Sequence, residues 1–175
     1  RVAQDSEGVL RFTPTDWDWA VQDNEKMWIH VLMLVGMSIQ DRFHQAVESA
    51  MLGLYGDSFD GFFPGPVKSY SRMVAKLTSE EDHGLNNRQP RPNLNLDVVR
   101  CRIKVADVDD LGPALQALAD RFGPFVQMQN GYDLTEDEAT DQFHARFVVG
   151  HVVFKSGMAI GDRGQDEQAQ KRWAE

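Results

Sequence analysis

With 175 residues, 42% of them hydrophobic and 26% charged, the chain is large enough for one domain with a buried core, and disordered, collagen-like and disulfide-built classes are excluded. Asp and Glu number 27 against 18 Lys and Arg, a formal charge of -9, so nucleic acid is excluded as the main partner and any anion site must be local. The single cysteine, Cys101, excludes an intramolecular disulfide and a multi-cysteine metal site.

Residues 1–23 are polar around Trp17-Asp18-Trp19, have no sustained period, and read as an extended N-terminal arm. The start at Arg1 rather than Met carries the expectation of a processed protein of a plastid or mitochondrion, with the cytoplasm as the alternative. From Asn24 a long helix is predicted, because Trp28, Leu32, Val35, Ile39, Phe43, Ala46, Val47, Ala50 and Leu54 recur at steps of three and four. Its apolar stretch Met27–Met37 is interrupted by His30 and is much shorter than the roughly 20 residues a membrane span needs. No transmembrane span is expected, while a peripheral place on a membrane complex stays open. The first half of this helix is apolar all round, more than a domain of this size needs to bury. A protein-partner interface is therefore expected at Trp17, Trp19, Trp28, Ile29, Leu32 and Met33.

Gly56-Asp57-Ser58 and Phe62-Phe63-Pro64-Gly65-Pro66 break the helix, and Pro66 suits the first turn of a second one. In that helix Val67, Tyr70, Met73, Val74 and Leu77 share a side, and Lys68, Arg72 and Lys76 form a cationic ridge beside it. Residues 78–95 read as a long loop, and 96–105 as a strand with Asp97 opening its inward face and Arg100, Arg102 and Lys104 on the other. Asp107 caps a third helix that Gly123-Pro124 ends. Strands follow at 125–129 and 143–154, the latter bent at Gly150, with an acidic loop between them and a polar tail over 156–175. The order predicts a single α/β (α+β) domain over 24–155, a mixed β-sheet flanked by helices with a helical N-terminal extension. Were the strands on either side of the third helix parallel, their connection would be a right-handed crossover.

The histidines do not assemble a metal site: His30 and His44 fall about 21 Å apart along one helix, and His144 and His151 point to opposite faces of a strand. P-loop, dinucleotide-binding and nucleophile-elbow patterns are absent from the sequence. What remains is Lys68, Arg72 and Lys76 with Asp97 and Arg100, cations able to meet a polyphosphate beside a carboxylate able to hold Mg²⁺. By composition alone, such a stripe is more often a solvated face.

Gly65-Pro66-Val67-Lys68-Ser69-Tyr70-Ser71-Arg72-Met73-Val74-Ala75-Lys76 and Leu96-Asp97-Val98-Val99-Arg100-Cys101-Arg102-Ile103 resemble the nucleotide-binding helix and Mg²⁺-binding strand of RelA/SpoT-type (p)ppGpp synthetase domains. Phe122-Gly123, Asn130-Gly131-Tyr132 and the Arg146-bearing strand extend the resemblance, which covers residues 60–155. It implies a nucleotidyltransferase-like fold, nucleotide contacts at Lys68, Arg72, Lys76, Arg100 and Arg146, and a metal ligand at Asp97. The chain departs from the family pattern where its activity resides. Pro66 stands at the first Arg position, Arg72 at the Ser position, Phe147 where relatives place an Asp, and no Glu-x-Gln-Ile-Arg strand follows Phe154. Without that strand's glutamate, the base that would activate a 3'-hydroxyl is missing, a loss of about 10²–10⁴-fold. The expectation is thus a catalytically inactive domain with no catalytic residue and no cofactor, an accessory subunit among other proteins of a larger assembly. The alternatives are an active pyrophosphokinase using ATP or GTP with Mg²⁺, and a nucleotide sensor.

Overall fold

The computed structural model describes residues 2–4, 10–12, 22–79, 91–133, 135 and 147–158. Its elements, in chain order, are β1 (Val2–Gln4), β2 (Leu10–Phe12), α1 (Gln22–Tyr55), β3 (Phe62–Pro64), α2 (Tyr70–Thr78), β4 (Cys101–Ile103), α3 (Leu111–Phe122), β5 (Gln127–Asn130) and β6 (Val148–His151), with 3₁₀ turns at Arg91–Leu94 and Val108–Asp110. The architecture is mixed α+β. The sequence reading expects one mixed sheet, whereas the described strands form three separate two-stranded antiparallel pairs, β1 with β2, β3 with β4 and β5 with β6. Consequently α3 is not a crossover between parallel neighbours. Strands of three or four residues are too short to display a period, and for that reason the β1–β2 pair, with Ala3 opposite Arg11, was invisible in a segment read as an extended arm. No helix among the described residues is long and apolar enough to cross a membrane.

The chain gathers into two compact units: Arg1–His44, Phe63–Arg102 and Lys155–Glu175 make the first, Gln45–Phe62 and Ile103–Phe154 the second. In the first, the apolar periods of α1 and α2 meet. Ile29, Met73 and Leu77 form the buried cluster, and Met33, Tyr70, Val74 and Val98 pack around it. Gly36 of α1 admits this packing, because a Cβ there would lie 2.8 Å from Val98 Cγ1 and 3.2 Å from Val67 Cγ1.

The sequence places the start of α2 at Pro66, but the helix begins at Tyr70. Residues ahead of it run extended: Gly65 N donates to Arg100 O (3.0 Å) and Lys68 N to Val98 O (2.9 Å). These bonds to the segment 98–100 claim backbone that a helix would need, and Ser69, with ψ 149°, is the extended residue at the N-cap. Pro64 and Pro66 supply no N–H, so Gly65 is the donor between them. Only glycine fits that position, since a Cβ would sit 2.8 Å from Arg100 O. The expected strand 96–105 is likewise trimmed to β4, with Leu96 and Asp97 in a turn. Its alternation survives, Cys101 and Ile103 half-buried, Arg102 and Lys104 exposed.

In the second unit the third helix is observed as Leu111–Phe122, while the strands expected at 125–129 and 143–154 are Gln127–Asn130 and Val148–His151, with 143–146 outside the described residues and Val152, Val153 and Phe154 not in a strand. Asp107 accepts from Asp109 N (3.2 Å) and its own N–H donates to the Asp110 carboxylate (3.3 Å), a capping box on the 3₁₀ turn that leads into α3. Gly123, at φ 87°, ends the helix. Tyr55 OH donates to Asp110 O at 3.0 Å and stacks on Phe59. Gly150 sits opposite Met128, and the Phe125 ring lies where its Cβ would be, which accounts for a glycine inside β6.

Candidate functional site

The extended segment before α2 decides the site, because it turns Lys68 inward instead of along a helical ridge. Lys68 is 2% exposed. Its Nζ donates to Asp97 Oδ1 at 2.7 Å and to Asn95 Oδ1 at 3.3 Å. Asn95 is itself buried and donates to Pro92 O at 3.2 Å, so the turn carrying both acceptors is held from behind. Asp97 keeps 35% of its side chain exposed. Lys76, one helical turn and a half along α2, acts electrostatically on both members of the pair.

Burial pulls the Lys68 ammonium below its usual pKa, the bond and charge of Asp97 pull it back up, and Lys76 pushes it down again; the net direction is down. For Asp97 burial works upward, but the hydrogen bond and charge of Lys68, helped by Lys76, prevail and hold it below the ordinary carboxylate range.

The structure thus brings Lys68, Lys76 and Asp97 together but divides the other expected residues. Arg72 is exposed on α2, and Arg100 directs Nε to Pro66 O at 3.3 Å. Arg146, Trp17 and Trp19 lie outside the described residues. Trp28 and Ile29, expected on a partner surface, are instead 4% and 0% exposed, covered by the chain's own α2 and 3₁₀ turn. Trp28 Nε1 donates to Asn93 Oδ1 at 2.7 Å, which satisfies the indole within the fold. Leu32 and Met33 are half-buried, Met33 against the same core cluster. Along the stretch Met27–Met37, Trp28, Ile29 and Gly36 are buried, Val31, Leu32, Met33, Leu34 and Val35 are half-buried, and Met27 and Met37 are exposed.

Two features escaped the sequence reading. Asn95 stands two residues before Asp97, a spacing that could have marked it as a companion acceptor. The second is a buried clip: Arg91 bonds both oxygens of Glu25 through Nε (3.0 Å) and Nη2, and Leu77 O through Nη1 (2.9 Å). Nothing local signals a pairing between residues so far apart in the chain.

Mg²⁺ at Asp97, which the family resemblance implies, fits these residues poorly. A dication there would face the Lys68 ammonium already on Oδ1 and the charge of Lys76. Among the described residues no group of three His, Cys, Asp or Glu could hold a metal ion. Burial pushes the Cys101 thiol up to about 11, which favours its protonated form at neutral pH. No family model, curated protein or solved structure matches this chain. The candidate site therefore stands on its own geometry.

Proposed function

We propose that the chain is a RelA/SpoT-like domain, nucleotidyltransferase-like in ancestry, that has lost catalysis and serves as an accessory subunit of a larger protein assembly. The observation that carries this reading is the self-satisfied pair: the enclosed Lys68 ammonium is spent on Asp97 and Asn95. A lysine meant for phosphate and an aspartate meant for metal neutralise each other, and a ligand would have to separate them against a 2.7 Å charge-assisted bond. The departures at Pro66, Arg72 and Phe147 point the same way. In the purified chain, no Mg²⁺-dependent pyrophosphate transfer from ATP to GDP or GTP is expected. Turnover that disappears in Asp97→Ala would overturn the proposal in favour of an active pyrophosphokinase.

A second reading, a nucleotide sensor without turnover, is favoured by the Asp97 carboxylate, which stays 35% exposed with the charge of Lys76 acting on it. Calorimetry with ATP separates the two. Binding heat abolished by Lys76→Ala supports the sensor, whereas no heat from the unmodified chain leaves the accessory role.

A further inference from the structure

The Asn130-Gly131-Tyr132 turn at the end of β5 holds a chemistry that an accessory role does not use. An asparagine is labile where the backbone nitrogen of the next residue can reach its carboxamide carbon, and a side chain on that next residue obstructs the approach. Of the six asparagines in the sequence, Asn130 is the one followed by glycine. It is also exposed, so water reaches its carboxamide.

The fold engages both reacting groups. Gly131 is buried, and its N–H donates to Phe147 O at 2.8 Å. The Asn130 carboxamide is tied at both ends: Nδ2 donates to Asp133 Oδ2 at 2.7 Å, and Oδ1 accepts from Tyr132 N at 3.1 Å. Attack of Gly131 N on Asn130 Cγ therefore requires the turn to open and Gly131 to leave Phe147. The hairpin that imposes this is slight. Its strands, β5 and β6, have four residues each, and two short strands are marginal by themselves. Such a piece opens locally at a lower free energy than the whole fold.

We propose that Asn130 is a site of self-modification, deamidating when the β5–β6 hairpin opens, and that its product weakens the turn it came from. Gly131 N gives its proton to water or hydroxide and bonds to Asn130 Cγ, the Cγ–Nδ2 bond breaks, and Nδ2 leaves as ammonia with a proton from water. Water then opens the cyclic imide. Breaking the new Gly131 N–Cγ bond gives aspartate, and breaking the main-chain bond from Asn130 C to Gly131 N gives isoaspartate. Water is consumed, ammonia is released, and nothing is oxidised or reduced. Aspartate puts a carboxylate where Nδ2 met Asp133, so a hydrogen bond becomes a like-charge contact. Isoaspartate lengthens the main chain between residues 130 and 131, which shifts Gly131 N from its place on Phe147 O.

Peptide mapping of the full chain by mass spectrometry, after incubation at mildly alkaline pH, follows the amide-to-acid mass gain at Asn130. Conversion should be about tenfold or more slower in the folded chain than in urea, with Gly131 amide exchange slowed by a similar factor, because one opening frees the same nitrogen for both. Asp133→Ala releases the carboxamide and should speed conversion in the folded chain by about threefold or more. Gly150→Ala, whose Cβ would lie 2.6 Å from the Phe125 ring, should speed it by loosening the hairpin. Asn130→Asp stands for the aspartate product and should lower Gly131 amide protection by about fivefold. The comparison of the folded parent with the parent in urea needs no variant to fold. No conversion in urea, equal rates in the two states, slower conversion in Asp133→Ala, or unchanged Gly131 protection in Asn130→Asp would overturn the proposal.

Discussion

Two ion pairs in the first unit are built on opposite plans. In Glu25–Arg91 both side chains are enclosed, 1% and 6% exposed, and all three guanidinium nitrogens are bonded. In Lys68–Asp97 the cation is enclosed at 2% while the carboxylate stays 35% exposed, with Lys76 nearby. The first is a clip that ties the 3₁₀ turn at Arg91–Leu94 to α1 and to the end of α2. The second presents a carboxylate that solvent can reach, so of the two it is the pair that could respond to a ligand. Burial of a cation is therefore no mark of a site by itself; the accessibility of its counter-ion separates a fastening from a place where something can bind.

The largest effect should come from opening the closed clip. Arg91→Ala leaves Glu25 buried without its partner, and unfolding by heat or urea is expected to show a loss of about 3–5 kcal/mol. Replacing both members, Glu25→Leu with Arg91→Met, should recover most of that loss, and a single-variant loss below about 1 kcal/mol would break the contrast between the pairs.

The second pair should respond asymmetrically. Asp97→Asn leaves a buried ammonium without its counter-charge and is expected to cost about 1–3 kcal/mol, whereas Lys68→Met leaves a carboxylate that can reach water and should cost less. Equal losses would erase the distinction in exposure. Asn95→Ala, which removes the second acceptor for Lys68 and the bond to Pro92 O, should cost about 1 kcal/mol. A double-mutant cycle with Lys68→Met should give a coupling beyond simple additivity.

The smallest effect is on pH dependence. Because the folded state holds Asp97 below its ordinary value, its contribution is present above about pH 3.9 and is lost as pH falls through the depressed folded value. Lys68 runs the other way: the folded chain gives up this proton before the unfolded chain does, so its contribution rises as pH climbs from the depressed value toward about 10.4. Stability profiles should lose part of the acid limb in Asp97→Asn and the alkaline rise in Lys68→Met. Unchanged limbs would mean that solvent screens the pair completely.

Local chemistry made much of the fold legible. The helix expected from Asn24 through Leu54 is observed as Gln22–Tyr55, because a three- and four-residue apolar period is written along one segment and needs no distant partner. Gly56, at φ 83°, closes it. Gly123 ends the third helix as expected, while Asp107, expected to cap that helix, caps the 3₁₀ turn ahead of it and Asp110 stands at the helix's own N-cap. At the site the sequence pointed to Lys68, Arg72, Lys76, Arg100 and Arg146 around Asp97; the structure brings Lys68 and Lys76 to Asp97, and Lys68 comes from the extended segment and not from the helical ridge.

Residues 65–69 could have extended α2 by their apolar spacing, and only their bonds to Val98 and Arg100 made them extended. That choice moved Lys68 from an exposed helical face to an enclosed position on Asp97. Trp28 and Ile29 have the composition of a partner surface and the burial of a core, because the cover comes from Met73, Leu77 and Asn93, residues remote in the chain. Periods and caps are properties of neighbours along the backbone, and the amino-acid sequence determines them directly. Which segments pair, and which charges are enclosed, depends on hydrogen bonds and desolvation between distant residues, and these exist only once the chain has folded.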